Sequence, residues 1–330
     1  MDGERIVPVP ENGSNLNKSS HLRLNPADGF LLVTALLWGI NIPVVKYATH
    51  QMDAMTFNAL RMVLSTITLG LCWRFELWFQ SQSAKDRLVE ASPMENAAPS
   101  GRIGWRIAGF ALLSGLLYPL AFMEGIDRTT AGNTALLLAS MPMWTALLSR
   151  LVYSERLSKL TWIGLLVTFI GTLLIIQARG GVDFSREHFV GNCFMLLGAM
   201  TWASATVVSM PLLKRVSPLQ LAFLSALFTT PIHVGINIGS IADWLAHPIE
   251  NGVIASVLYS GILSTGVAYA TWNIGVRKLG GSHASVYQNL VTLVAVLISW
   301  FVLGEPVLVL QVVGGIIAIG GLVLIRRGRA

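Results

Sequence analysis

Charge is what this 330-residue chain has least of: Asp, Glu, Lys and Arg make up 12% of it, and the acids number only 17. A soluble domain carries about 25% charged residues, so an ordinary globular body is a poor fit. Cysteine is scarce too. Cys72 and Cys193 both fall in apolar stretches, which leaves no disulfide framework and no zinc site, and both read as small apolar fillers. The sequence has no H-E-x-x-H, no paired intramembrane aspartates and no Gly-Lys-Ser/Thr phosphate loop, so catalysis and ATP-driven pumping lack support. No cofactor and no metal are expected. Residues 1–24 are polar, with Pro-Glu-Asn-Gly-Ser-Asn at 10–15, and lack the apolar core of a signal peptide.

What is present is apolar length. Hydrophobic residues reach 53% and mean hydropathy is +0.62. The runs are of the roughly 20 residues needed to cross a ~30 Å hydrocarbon core. Ten spans are expected at 29–48, 54–73, 106–125, 131–151, 159–177, 190–211, 219–240, 254–275, 283–303 and 308–325. A disordered cytoplasmic tail over 1–28, a hydrophilic loop at 80–104 and a hinge at 178–189 complete the layout, with halves at 29–178 and 189–326. Alternate sides of these spans receive 18 and 4 of the 23 Lys and Arg, Arg61 lying inside a span. That asymmetry puts both termini in the cytoplasm. It also explains the net charge of +6 better than a nucleic-acid partner does.

The second half repeats the first. Residues 122–175 align without gaps on 272–325, a shift of 150, with Gly125/Gly275, Glu155/Glu305, Gly164/Gly314 and Gly171/Gly321 identical. The first spans align at a shift of 164, pairing Phe30/Phe194, Ala35/Ala199 and Trp38/Trp202. Five spans per half force the halves to cross the bilayer in opposite directions, a construction common in transporters. The fold class is therefore an all-α polytopic membrane protein, ten transmembrane helices in two inverted five-helix repeats. Gly164, Thr168 and Gly171 stand against Gly314, Ala318 and Gly321 as a column of small residues, read as helix packing.

Trp38-Gly39-Ile40-Asn41-Ile42-Pro43-Val44-Val45-Lys46 with Leu60-Arg61, then Glu155-Arg156-Leu157 before Trp162-Ile163-Gly164, then Gly304-Glu305-Pro306, form an ordered set. Over roughly 29–326 it resembles the EamA-like family of the drug/metabolite transporter superfamily. The resemblance implies a central cavity and export or exchange of a small metabolite. An arginine at the position of Arg61 is common in that family across different solutes, which favours a structural anchor there over a solute ligand.

Polar residues inside a span turn toward the bundle interior. Asn58, Arg61, Ser65 and Thr68 make one stripe in the second span; Thr34, Trp38 and Asn41 align in the first; Ser285, Gln288 or Asn289, Thr292 and Ser299 align in the ninth. Aromatic walls suit an amphipathic solute, although the same rings serve as packing. The cavity candidates are Trp38, Asn41, Arg61, Tyr118, Trp202, Tyr269, Gln288 and Asn289. His233 and His283 each stand alone, and spans one and six contain no Asp or Glu, so facilitated diffusion or exchange is simpler than proton antiport. Prolines 43, 119, 142 and 231 supply candidate kinks. The expected protein is a non-enzymatic secondary transporter of the cell membrane, moving a small amphipathic or amino acid-like solute. An intramembrane enzyme, and a receptor or scaffold, are the alternatives; a homodimer is left open.

Overall fold

The computed structural model describes residues 26–86, 101–129, 131–178, 185–248, 250–303 and 308–328. Most of the tail, much of the 80–104 loop, part of the hinge and Glu305 lie outside the described residues. In chain order the helices are α1 Pro26–Thr49, α2 Ala54–Asp86, α3 Gly101–Ala111, α4 Tyr118–Arg128, α5 Ala131–Ala139, α6 Met141–Tyr153, α7 Lys159–Gln177 and α8 Phe189–Leu212. They continue as α9 Pro218–Ile236, α10 Ile238–Ala246, α11 Asn251–Leu258, α12 Ala268–Leu279, α13 Gly281–Ser285, α14 Asn289–Leu303 and α15 Val309–Gly328. A first π-turn, Leu112–Leu117, joins α3 to α4, and a second, Tyr259–Val267, joins α11 to α12. Among the described residues nine helical stretches are long and apolar enough to cross a bilayer, and Val309–Ile325 is a shorter apolar helix in the tenth place.

Local chemistry sets several boundaries. The Ser158 and Ser217 hydroxyls cap α7 and α9 by accepting the N–H of Thr161 and Gln220 at 3.1 and 3.0 Å. Ser217 also donates to Glu76 at 2.7 Å, tying the start of α9 to the far reach of α2, which runs unbroken well past the expected end of the second span. The fourth span is broken at Ser140, just before Pro142, and the seventh ends at Ile236, where the separate helix α10 begins. Pro43 and Pro231 lie inside helices, whereas Pro119 sits where the first π-turn meets α4.

The first helix differs from expectation in one consequential way. It begins at Pro26 rather than 29, so it contains an acid: Asp28, 4% exposed, accepts the Tyr287 hydroxyl at 2.6 Å. A hydropathy window excludes an acid from the edge of a run. The helix accepts it, because a carboxylate in the first turn offsets the unpaired N–H groups there.

The repeats interleave. Helix α1 packs on α12 and α14 of the other half; α8 packs on α4, α5 and α6; α2 packs on α9. Ala27 and Leu31 at the start of α1 belong to one buried cluster with Leu212 and Leu213 at the end of α8. Helices α7 and α15 form the tightest pair. A Cβ at Gly171 would lie 2.6 Å from the carbonyl oxygen of Gly314, and one at Gly314 would lie 2.6 Å from that of Gly171. Gly164 and Gly321 stand in the same reciprocal relation at 2.7 Å. Backbones this close leave no room for side chains. Here the small-residue column is a two-fold seam, each glycine meeting the other pair's mate.

Candidate functional site

Where α1 and α8 cross, the repeat-related Trp38 and Trp202 meet edge to face, with ring centroids 5.4 Å apart. Trp272 lies 5.5 Å from Trp38 and 5.9 Å from Trp202; Tyr118 lies 4.8 Å and Tyr269 6.1 Å from Trp202. Phe110 stacks on Tyr269 at 6.4 Å. Such pairs contribute about 0.5–1.5 kcal/mol each beyond area burial. Four of the eight expected site residues, Trp38, Tyr118, Trp202 and Tyr269, are thus one aromatic wall drawn from both repeats. The rings touch one another, so the wall is closed on itself.

Polar groups are threaded through it. The Tyr269 hydroxyl donates to Ser114 at 2.7 Å, and Ser114 lies 3.4 Å from Ser225. Trp38 Nε1–H donates to the Ser264 carbonyl at 3.0 Å. Among the described residues the indole N–H of Trp202 is buried with no hydrogen-bond partner, as are both amide atoms of Asn273. An unpaired buried polar group costs about 1–3 kcal/mol, so these are places where an incoming polar atom would gain.

Arg61 lies within electrostatic range of Tyr118. It is 8% exposed, and among the described residues no carboxylate pairs with it. Its Nε–H donates to Asn58 Oδ1 at 3.0 Å; the Asn58 amide nitrogen then faces His233 Nδ1 at 3.2 Å, and His233 Nε2 faces the Gly115 carbonyl at 2.8 Å. The chain of donors fixes every orientation. Asn58 gives its oxygen to Arg61 and its nitrogen to His233, so Nδ1 accepts and Nε2–H donates. His233 looks isolated in the sequence, and its partners come from α2 and the first π-turn.

Asn41 lies elsewhere, accepting the hydroxyl of Ser260 in the second π-turn at 2.7 Å. Gln288 and Asn289 stand where a short 3₁₀ turn (Val286–Gln288) meets α14; among the described residues Gln288 Oε1 and Asn289 Oδ1 are buried without partners. Glu155 accepts the Ser282 hydroxyl at 2.9 Å, joining the end of the fourth span to α13. Glu124 pairs with Arg128 at 2.6 Å on an exposed face. A cleft of about 830 Å³ opens at the end of the bundle carrying the α1–α2 connection. Asp53, Asp243, Trp244 and Glu250 line it, and none of the wall residues does. No group of three or more His, Cys, Asp or Glu is placed to hold a metal among the described residues.

The EamA-like transporter family matches residues 25–177 and 189–327, once in each half. An uncharacterized transporter of Archaeoglobus fulgidus is 26% identical over 94% of this chain and 98% of its own. A probable terminal-alkyne amino-acid exporter of Streptantibioticus cattleyicolor is 22% identical over 93% and 95%. A protein of known crystal structure superposes with a TM-score of 0.69 at 18% identity, covering 91% of this chain and 96% of that one, a likeness of fold alone.

Proposed function

The chain belongs to the EamA-like transporter family, and from that premise we propose that it is a secondary carrier of a small amphipathic or amino acid-like metabolite. It exports or exchanges this solute by alternating access across the cell membrane, with both termini in the cytoplasm. The observation that carries the reading is the wall at the crossing of α1 and α8. Repeat-related indoles meet there, and Trp202 keeps an N–H unpaired among rings contributed by both halves. Flat apolar faces with a few unpaired polar atoms suit a solute with an apolar body and a hydrogen-bonding head. The amino acid-like class also draws on the relative named as a probable amino-acid exporter.

Arg61 serves chiefly as an anchor, because its Nε–H is spent on Asn58. Trp38, Tyr118, Trp202 and Tyr269 contact the solute; Asn41, Gln288 and Asn289 flank its path. With the rings in mutual contact, they must part before a solute enters. The test is metabolite profiling of the medium of cells that produce the chain or lack it. At least one amphipathic or amino acid-like compound should accumulate outside several-fold more in producing cells, and Trp202→Phe should reduce that excess. Indistinguishable profiles at normal membrane abundance would remove the carrier reading.

A further inference from the structure

The two π-turns occupy one position in the repeat. At the 150-residue shift Tyr118 corresponds to Ala268 and Leu113 to Leu263, and the same i→i+5 bond closes each turn: Tyr118 N–H to Leu113 O, and Ala268 N–H to Leu263 O. Widened turns of this kind recur at functional sites and leave carbonyls without their usual helical partner. The Ser264 carbonyl would ordinarily accept from Ala268, whose N–H is committed one residue back. The Gly115 carbonyl would look to residue 119, which is proline and has no N–H. Both carbonyls are taken by side chains of the opposite repeat, Ser264 O by Trp38 Nε1–H at 3.0 Å and Gly115 O by His233 Nε2–H at 2.8 Å. In hydrocarbon no water stands ready to replace either donor, so each bond holds its bend.

We propose that Trp38 and His233 are trans-repeat latches on the two π-turns, and that Trp38 is the one an occupant of the aromatic wall releases. Its indole is only partly buried and lies against Trp202 and Trp272. The ring is rigid, so turning its face to admit a solute carries its N–H off the Ser264 carbonyl. His233 is fully buried, held at one nitrogen by Asn58 and at the other by Gly115, with Asn58 oriented in turn by Arg61. The two turns therefore differ in their latches: occupancy frees the second from Trp38, while the first, though tied to the wall through Tyr118 and Ser114, keeps its bond to His233. Trp38 couples contact to movement; His233 is a positioning residue. The release step rests on the proposed solute wall, whereas the two latches rest on geometry alone.

Hydrogen–deuterium exchange of the purified full-length chain, without any solute, tests the latches independently of transport. Trp38→Phe keeps a ring and removes the donor; exchange across 259–267 should quicken about fivefold, the equivalent of one lost hydrogen bond, with 112–117 unchanged. His233→Ala should do the reverse, and His233→Gln, which retains a donor, should restore 112–117. Wild-type exchange at 259–267 in Trp38→Phe, or equal quickening of both segments, would overturn the latches, and this variant still decides should His233→Ala not fold. Free indole, a flat aromatic probe of the wall, should quicken 259–267 more than 112–117 in the wild type. No indole-dependent change there would overturn the release step while leaving the carrier reading to its own test.

Discussion

The two ends of the bundle are closed by the same backbone and by different chemistry. At one end Asp28, at the start of α1, accepts the Tyr287 hydroxyl beyond α13. At the other Asn192, at the start of α8, accepts from the Thr129 hydroxyl at 2.6 Å and the Asn133 amide at 2.8 Å. Asp28 and Asn192 are equivalent at the 164-residue shift that pairs Trp38 with Trp202. The first closure uses a carboxylate; the Thr129 and Asn133 bonds to Asn192 at the second join neutral groups. Hydrogen bonds to charged groups are worth about 1.5–3 kcal/mol against about 1 for neutral ones, so the Asp28 end is the firmer. The difference teaches that the repeat preserves helix geometry and lets polar fittings diverge. The π-turns teach the same, one carbonyl being held by an imidazole and the other by an indole.

The sharpest way to break the comparison is at a place where the halves are alike. Gly171→Leu and Gly321→Leu each drive a side chain into the partner backbone of the α7–α15 seam, and both should abolish folded, monodisperse protein on gel filtration. A fold that tolerates one and not the other would mean the seam is not two-fold. Next come the ends themselves. Tyr287→Phe should cost about 1.5–3 kcal/mol in reversible unfolding in mixed micelles, and Asn192→Ala only about 1 kcal/mol, because Thr129 and Asn133 still bond to each other at 3.0 Å. The opposite order would refute the charged end as the firmer closure. Smallest is the pair on the axis. Thr66 and Thr230 are equivalents at the 164-residue shift and bond to each other at 2.7 Å. Valine at either should cost about 0.6 kcal/mol, and because both hydroxyls also share the Met62 carbonyl, valine at both should cost less than the sum of the two. Additive losses would show that the hydroxyls work separately.

Span number, the opposed repeats and the glycine seam are legible in the sequence because hydropathy and small-residue spacing are local signals. The aromatic wall is legible in part. Trp38 and Trp202 pair through the repeat, but Phe110 and Ser114 join only through Tyr269 on a distant helix. The π-turns are invisible to periodicity, since Leu-Leu-Ser-Gly-Leu-Leu reads the same in either register; Pro119 beside Gly115 is the one local hint. His233 looks alone because the carbonyl it binds lies 118 residues away. Asp28 is missed because hydropathy begins the span one residue too late.

The reciprocal glycine contacts of α7 and α15 have a mechanical consequence. With the backbones meeting reciprocally at four glycines, these two helices pack as one unit, although they come from opposite halves of the chain. A rearrangement that leaves this seam intact carries residues of both repeats together. The seam in the gene is not the joint in the machine.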